Sequence, residues 1–551
     1  MSMELRMLMA IVLSFLIFFL YQVMFVKEVP LESRDPAQEV GKQTPATDED
    51  VKVLDEQAEK VEVDITKPVR QGRTITVSTP LYIAEFTENG GALKSFRLKD
   101  YKESVAPGSP MEQIVQLEDE DATTLGVSFL RDSVKGLKEA VFDAAIDTDC
   151  MDVTKEQKGL LFEWTSSDGV MIVKTYTFMP DSYEIGIDIK VRNLSGKAID
   201  DNLTISLENS VEEGDESRYV FTGPAAMIDG ALEEMKIKKT GEQEKFVGHI
   251  KWIAYESRYF VSAIIPQKAS EGTMRLWKTG KDVIESTYID PSGPVPSRAE
   301  RTYGYRAYFG PKSLKSLSLV GADLEKIVDF GWFDIIAKPL LHAMKFLYRF
   351  IPNYGVVIII ITIIVKMLFW PLSNKSYQSM SQMKKLQPKM AELRAKYKHD
   401  KKLMNQEIMN LYKLYKVNPL GGCLPMVFQI PVFFAFYKML YQAIELRHAP
   451  FLLWINDLSA PSRLFSFDFK IPMMAPPYGI PVLTIIMGAS MFLQQKMSPP
   501  PGDPTQAKMM MFMPIFFTVI FINFPSGLVL YWLVNNILSM VQQYYVTKKT
   551  S

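Results

Sequence analysis

Residues that bind metals or form disulfides are scarce in this sequence. It has only two cysteines, Cys150 and Cys423, in stretches of different character, and four scattered histidines. A disulfide framework and a CxxC metal site are therefore excluded, and histidine-based chemistry is not favoured. We expect neither a metal nor another cofactor. The 62 basic residues nearly balance the 63 acids, so the composition gives no reason to expect nucleic-acid binding.

Acidic residues are absent from the long apolar stretches in the second half of the chain. These predicted membrane spans cover about 353–372, 424–442, 478–497, 509–524 and 527–546. Intramembrane proteases need carboxylates, a serine–histidine arrangement or zinc ligands, and ion-coupled transporters usually keep an acid at mid-membrane. The stretches supply none of these, so both classes of protein are disfavoured.

The first of these stretches, Asn353–Pro371, carries one lysine, Lys366, in otherwise apolar sequence. About 18 apolar residues suffice to cross a hydrocarbon core of roughly 30 Å. A cation in lipid costs a few kcal/mol, so its position needs an explanation. Either the lysine stem reaches the headgroups at the cytoplasmic end of the span, or the ammonium faces a wet cavity inside the helix bundle.

The beginning of the chain predicts an anchor and a linker. Met7–Val26 is a continuous apolar run, too long for the core of a secretory signal and without a small-residue cleavage site after it. We expect residues 1–26 to be a retained membrane anchor. Residues 27–70 contain prolines and many acids but no aromatic residue. Such a segment buries too little apolar surface to fold, which predicts a disordered acidic linker.

Residues 71–327 predict a large antiparallel β-sandwich. Polar and apolar residues alternate in runs such as GVMIVKTYTFM and SYEIGIDIKVRN, and turn signals such as Asn89-Gly90-Gly91 separate the runs. A phosphate-binding loop and a nucleophile elbow are both missing from the sequence of this domain. Stacking of Trp252 or Trp277 on a sugar is the functional alternative to simple packing in the sandwich core.

Two amphipathic segments accompany the spans. Residues 328–352 mix aromatics with Lys338, Lys345 and Arg349, which is typical of a helix lying in the membrane interface. Residues 376–417 predict a basic helical hairpin, with Pro388 in the first turn of one helix and Asp400 capping the other. Candidate docking residues on it are Lys384, Lys385, Lys389, Arg394, Lys401 and Lys402. A solvated surface that only sets orientation is the alternative.

The charge pattern predicts the topology. Basic clusters flank the spans so that the hairpin and both termini lie in the cytoplasm. The fold class is therefore an α-helical polytopic membrane protein of six spans, five of them forming a core in residues 353–551, plus a large antiparallel β-sandwich domain outside the cell's cytoplasm. Mildly polar residues that can wet a groove among the spans are Lys366, Thr362, Gln429, Gln495, Asn535, Asn536, Tyr531 and Trp532. Hydrogen bonding between helices is the simpler explanation for each amide.

Several stretches of the second half are similar to one known family. They are TIIVKMLFWPL, VNPLGGCLPM, ELRHAPFLLWINDLSA, FLQQKMSP and FPSGLVLYW. Together they resemble the YidC/Oxa/Alb family of membrane protein insertases, and the anchor plus sandwich is similar to YidC of bacteria with an outer membrane. The resemblance implies a hydrophilic groove that is open to the cytoplasm and to lipid. Lys366 takes the place of the family's usual arginine, which keeps the charge but loses the forked donor.

The resemblance also implies an activity that is not enzymatic. An insertase and chaperone in the bacterial inner membrane moves polar segments of nascent membrane proteins through the groove and releases apolar segments into lipid, with or without a translocation channel. The implied partners are these clients, the bilayer, the ribosome or signal-recognition machinery and the general secretion translocon; the sandwich is then periplasmic. The rivals are a transporter of an anionic solute that uses Lys366, and an envelope scaffold or sugar-binding module.

Overall fold

The computed structural model describes most of the chain. The described ranges are 51–53, 72–116, 123–210, 220–237, 240–268, 270–278, 283–415, 417, 424–498 and 504–550. The predicted anchor, residues 1–26, and most of the predicted linker, residues 27–70, lie outside these ranges.

β-Strands fill the first half of the described chain. They are β1 (Val51–Val53), β2 (Thr74–Ser78), β3 (Tyr82–Thr87), β4 (Ala92–Lys102), β5 (Met111–Gln116), β6 (Val127–Phe129), β7 (Asp143–Ala144), β8 (Cys150–Asp152), β9 (Lys158–Thr165), β10 (Val170–Phe178), β11 (Glu184–Asn193), β12 (Leu203–Ser210), β13 (Gly223–Ile228), β14 (Ala231–Glu234), β15 (Gln243–Glu256), β16 (Phe260–Pro266), β17 (Ser270–Lys278), β18 (Val283–Ile289) and β19 (Ala299–Pro311). A hairpin of β20 (Leu464–Phe467) and β21 (Tyr478–Ile480) lies far from them in sequence.

The strands of the first half form two sheets. A 14-stranded sheet follows the path β6-β12-β18-β17-β15-β16-β19-β11-β10-β9-β7, and a 5-stranded sheet has the order β5-β4-β3-β2-β8. The described pairs are antiparallel except β2 with β8. In β10 every second side chain is buried, as the alternating sequence predicts. The prediction of a domain rich in antiparallel sheet is confirmed.

The prediction of a disordered linker is wrong for one short part of residues 27–70. Val51–Val53 pair with β19 as an additional strand, Val51 opposite Arg301 and Val53 opposite Ala299. This half of β19 has an open edge, because β16 pairs with β19 only from Tyr305 onward. Val51–Val53 bond the backbone groups of β19 that this edge leaves unpaired. Composition alone does not reveal such a pairing.

Helices dominate the second half. They are α1 (Leu314–Val320), α2 (Asp334–Tyr348), α3 (Tyr354–Leu368), α4 (Trp370–Lys396), α5 (Lys401–Leu414), α6 (Leu424–Gln442), α7 (Val482–Met497), α8 (Pro504–Phe521) and α9 (Ser526–Thr550), with short 3-10 turns at Leu324–Ile327, Gly331–Phe333 and Ile444–Leu446. Helix α2 lies within the predicted interfacial segment, and α4 with α5 forms the predicted hairpin.

The predicted end of the first span, residue 372, is wrong. Helix α3 ends at Leu368 and α4 begins at Trp370, at an angle of 66°. Pro371 lacks the N–H that would bond the carbonyl of Met367, so the helix breaks there and restarts with proline in its first turn. Helix α4 then continues to Lys396, so Pro388 lies inside it and not in a first turn.

The predicted start of the 478–497 span is also wrong. Tyr478–Ile480 belong to β21, and helix α7 starts at Val482. Among the described residues, no single helix is both long and apolar enough to cross a bilayer alone. Helices α3 and α4 meet that criterion only together, across their bend. The six spans stay a prediction.

Two hydrophobic clusters hold the described chain together. One fills the space between the sheets, with Phe86, Phe162 and Tyr176 at its aromatic centre. The other starts on the large sheet at Trp252 and continues through Leu341 of α2 to Phe436 of α6. Trp252 is fully buried, so its predicted alternative as a sugar platform is excluded, and Trp277 is half-buried.

Candidate functional site

Helix α9 lies at the centre of the helical part and carries most of its polar contacts. It contacts α3, α4, α6 and α7. The ammonium of Lys366 on α3 is directed at this helix. It donates a hydrogen bond of 2.6 Å to Ser539 Oγ and one of 3.3 Å to Asn535 Oδ1. These contacts place Lys366 between the two helices.

Lys366 has polar partners, and neither its own helix nor α9 carries an acidic residue. Its side chain is 4% exposed. Ser539 in turn donates to the backbone carbonyl of Asn535 at 2.7 Å, so the hydroxyl accepts from the lysine and donates to its own helix. Helices α3, α6, α7, α8 and α9 contain no aspartate or glutamate. A buried cation with only neutral partners on these helices is costly to form and attracts an incoming negative charge.

Further polar pairs extend this site along α9. Asn536 Nδ2 donates to Ser490 Oγ on α7 at 3.0 Å. Gln542 Nε2 donates to the carbonyl of Trp370 at 3.2 Å and to Asn374 Oδ1 at 2.9 Å, both on α4. We call the set Lys366, Ser490, Asn535, Asn536, Ser539 and Gln542 the polar seam.

Of two further predicted groove residues, one lies next to the polar seam and the other belongs to it. Thr362 is buried one turn before Lys366, and its hydroxyl donates to the carbonyl of Ile358 at 2.6 Å within α3. Asn535, which the sequence also suggested, bonds Lys366 directly.

Two other predicted residues lie in an aromatic layer. The ring of Tyr531 stacks on Phe436 of α6 with centroids 4.6 Å apart. The ring of Trp532 contacts Phe433 at 4.7 Å and Phe521 at 5.0 Å. Both lie about one turn before Asn535 along α9, at one end of the seam.

The structure does not join the last two predicted groove residues to the lysine. Gln429 and Gln495 are half-exposed on α6 and α7. None of the hydrogen bonds described for the chain connects either side chain with Lys366. Their part in the groove stays a prediction.

Sequence reasoning missed Ser490, Ser539 and Gln542. A signal for two of them was present, because Asn535, Ser539 and Gln542 follow the spacing i, i+4, i+7 and share one face of a helix. Ser490 had no such local signal. It is identified only by its bond to Asn536, 46 positions away.

Similarity to known proteins extends over the whole chain. The Membrane protein insertase YidC of Syntrophus aciditrophicus is 43% identical over 562 residues, which cover 99% of this chain and 100% of the relative. The protein of the same name from Geobacter sulfurreducens is 40% identical and covers 100% of this chain and 99% of the relative.

The chain belongs to the YidC family.

Two family models cover the YidC-like chain and meet inside helix α2. The model described as YidC periplasmic domain matches residues 74–343, and the one described as 60Kd inner membrane protein matches residues 346–551. The resemblance that the sequence motifs indicated is thereby confirmed. The transporter alternative finds no support among these relatives.

Solved structures are similar in parts. A structure titled an active YidC insertase with the first transmembrane domain resolved has a TM-score of 0.38 and 19% identity, and the match covers 86% of this chain and 93% of that one. A galactose mutarotase-like protein from Lactobacillus casei has a TM-score of 0.31 and 11% identity, over 43% of this chain.

The outer surface of the helices in this YidC family member is apolar. Large apolar side chains are exposed along α7 and α8, namely Ile485, Ile486, Leu493, Met511, Phe512, Met513, Ile515, Phe516 and Ile520. Phe428 on α6 is also exposed. Contiguous exposed apolar surface on this scale marks contact with a membrane or a partner protein.

The hairpin presents its basic residues to solvent. Lys384, Lys385, Lys389 and Lys402 are exposed and Arg394 is half-exposed, whereas the side chain of Lys401 lies outside the described residues. Asp400 Oδ1 accepts from the backbone N–H groups of Lys402 and Leu403 at 3.1 and 3.0 Å, as predicted for a helix cap. Leu386 and Met390 of the hairpin are buried.

Proposed function

We propose that this chain is a membrane protein insertase whose polar seam receives the polar segments of nascent membrane proteins. The observation that carries the proposal is the buried ammonium of Lys366 beside Ser539 and Asn535, on helices whose outer surface is apolar. A polar path inside apolar helices shortens the hydrocarbon distance that a translocated head must cross. The ammonium compensates an acidic residue in that head for the time of its passage.

Release into lipid needs no covalent chemistry. Apolar segments of the client gain about 25 cal/mol for each Å² that leaves water. Exposed side chains such as Phe428 on α6 and Phe512 on α8 supply an apolar path on the outer surface of the helices. Neutral hydroxyl and amide groups hold a polar head weakly, which lets the client leave.

We place the chain in the bacterial inner membrane, with the sandwich of residues 71–327 in the periplasm. The basic loop between α3 and α6 supports a cytoplasmic hairpin, and with it cytoplasmic termini. In this arrangement residues 328–352 lie at the periplasmic membrane surface and the core spans come from 353–551. The exposed lysines of the hairpin then face the ribosome, the signal-recognition machinery or the general secretion translocon.

Photocrosslinking from the predicted groove residues tests the proposal. A photoreactive residue at Thr362, Gln429 or Trp532 is expected to form adducts with ribosome-bound nascent membrane proteins. Ile364 on α3 is the matched control, because it lies on the same helix as Thr362 but is exposed on the apolar surface. Adducts from Thr362 no stronger than those from Ile364 would contradict a polar path.

Variants of Lys366 test the role of its charge. Insertion of a small client with an acidic residue in its translocated head is expected to fall several-fold in Lys366→Met and to persist in Lys366→Arg. A client without that acid is expected to insert equally well in all three proteins. Saturable uptake of an anionic solute that Lys366→Glu abolishes, with normal insertion, would favour the transporter instead.

A further inference from the structure

Three bulky apolar residues in the segment between α6 and α7 combine two unfavourable features. Leu453, Phe465 and Met473 are 86%, 68% and 75% exposed. Their φ angles are 58°, 57° and 64°, in the left-handed region that side chains with a Cβ avoid. Among the described residues, exposed large apolar side chains with positive φ occur only in this segment.

The backbone around each residue is fixed by hydrogen bonds. At Leu453, the N–H of Phe451 donates to the carbonyl of Ile455 at 2.9 Å and the N–H of Ile455 returns a bond to Leu452 at 3.1 Å. These two bonds close a tight turn whose apex is Leu453. The turn therefore holds the side chain outward despite the strained φ.

Phe465 is the extra residue of a β-bulge. In the pairing of β20 with β21, Leu464 lies opposite Ile480 and Ser466 opposite Gly479, which leaves Phe465 without an opposite residue. A bulge turns the side chain of the inserted residue away from the regular alternation of the strand. The bulge aims an aromatic ring at the surroundings of the protein.

Met473 is held from behind by Asn523, two residues after the end of α8. Asn523 Nδ2 donates to the carbonyl of Met473 at 2.9 Å, and Asn523 Oδ1 accepts from the N–H of Ala475 at 2.8 Å. The segment is thereby fixed to the end of α8. Only the backbone of Met473 takes part in this attachment, and its side chain is exposed.

The apolar surface of α7 and α8 begins where this segment is attached. Strand β21 leads into α7, whose first turns expose Ile485 and Ile486, and Asn523 follows the part of α8 that exposes Phe516 and Ile520. Leu453, Phe465 and Met473 therefore extend the apolar surface that lipid covers in the proposed function. Lys470, exposed between Phe469 and Met473, has the reach and charge to meet a lipid phosphate.

We propose that Leu453, Phe465 and Met473 insert into the outer leaflet of the membrane and hold the periplasmic end of the helices at a fixed depth. The proposal rests on the membrane placement given above. Strained backbone that persists at exposed positions points to a function of those positions. Acyl chains supply the apolar surroundings that these side chains lack in water.

Lipid quenching of a fluorescent probe tests the insertion. Single cysteines at 453, 465 and 473, in a Cys150→Ser/Cys423→Ser background of the full chain, carry an NBD label in nanodiscs of phosphatidylethanolamine and phosphatidylglycerol. Nitroxide lipids labelled near the headgroup are expected to quench all three several-fold more than a label at Val247, an exposed apolar position in the sandwich.

A label at Phe516 on α8 separates the two proposals. One outcome would overturn the insertion alone. In it, the label at 516 is quenched, but the labels at 453, 465 and 473 are quenched no more than the label at 247. No quenching at 516 would overturn the membrane placement and the insertion together. Blue-shifted but unquenched loop labels would show that protein covers the loop, which also contradicts the proposal.

Glycine variants provide a second measurement that does not depend on a label. Phe465→Gly and Met473→Gly relieve the backbone strain, since glycine adopts positive φ readily. We expect both variants to fold as well as the parent in detergent, and amide exchange over residues 464–480 to be several-fold faster than the parent's in nanodiscs. Equal exchange of parent and variants in nanodiscs would overturn the insertion.

Discussion

Lys174 and Lys366 are two buried lysines with different surroundings. Lys174 lies at an inward position of β10 and donates to the backbone carbonyls of Gly90 and Leu125 at 3.0 and 3.1 Å. Both carbonyls belong to residues with positive φ, so the lysine ties two irregular turns to the sheet. Lys366 instead bonds side chains of a neighbouring helix. The first arrangement serves the fold of the sandwich, and in the proposed function the second lets the ammonium exchange its partners.

The stability of the sandwich should depend on pH through Lys174. Burial lowers the pKa of Lys174 to about 7, whereas a lysine in the unfolded chain titrates near 10.5. Between these values the unfolded state binds more protons, so the contribution of Lys174 to stability rises with pH, by up to about 1.4 kcal/mol per pH unit. Relative to Lys174→Met, the parent chain is expected to unfold at a progressively higher temperature from pH 7 to pH 9.

Thermal unfolding of both full-length proteins in detergent checks this difference. The comparison must be made at each pH, because burial raises the pKa of Glu208 to about 8 and this carboxyl contributes with the opposite sign. Lys158→Met, an exposed position of β9, is the control and should follow the parent chain. A Lys174→Met curve parallel to the parent's would contradict the prediction.

At the scale of elements, the bend between α3 and α4 sets the direction of the hairpin. Pro371 breaks the helix, and Gln542 of α9 then bonds the first turn of α4 at Trp370 and Asn374. The next residue, Gln543, bonds the carbonyl of Met497 at the end of α7 at 2.9 Å. Neighbouring glutamines thus fix two different helices to α9.

Removal of Gln542 should loosen the hairpin. Gln542→Leu deletes both bonds to α4, and each buried hydrogen bond contributes about 1 kcal/mol. We expect a broader distribution of distances between spin labels at Lys398 on the hairpin and Lys548 on α9, measured by pulsed EPR. Gln543→Leu removes the hydrogen bond to Met497 of α7 and should leave this distribution unchanged. Equal broadening in both variants would show a general loss of packing instead.

At the scale of the whole molecule, arginines join the sandwich to the helical part. Arg258 follows β15 and donates to the carbonyl of Tyr441 at 2.8 Å and to that of Ser459 at 3.2 Å, with its guanidinium 3.7 Å from the centre of the Tyr441 ring. Arg447, beyond α6, pairs with Glu112 of β5 at 2.7 Å. These contacts cross the boundary between the two family models, so the halves are one packed unit there.

Arg258→Ala should release this attachment without unfolding either half. A hydrogen bond from a charged donor is worth about 1.5–3 kcal/mol, and the planar guanidinium supplies two of them plus the ring contact. We expect faster amide exchange over residues 441–460 in Arg258→Ala. Arg192→Ala, which removes a 2.7 Å ion pair with Glu300 inside the sandwich, is the matched control. Unchanged exchange in Arg258→Ala would show that the apolar cluster alone holds the halves together.

Local patterns in the sequence determined a large share of this protein. Alternation over two residues predicts strands such as β10, because successive side chains of a strand face opposite sides. The basic loop and Asp400 predict a capped hairpin, and the ordered motifs of the second half indicate the family. These features act within a few residues of one another, so they can be read from the chain alone.

Tertiary structure decided which groups meet. Lys366 is 173 positions from Ser539, and no local pattern states which face of α3 turns toward α9. The strand at Val51–Val53, the bend at Phe369 and the bulge at Phe465 likewise depend on open edges and bonds offered by distant segments. A buried polar group takes whichever partner packing brings within hydrogen-bonding distance, and packing is a property of the whole fold.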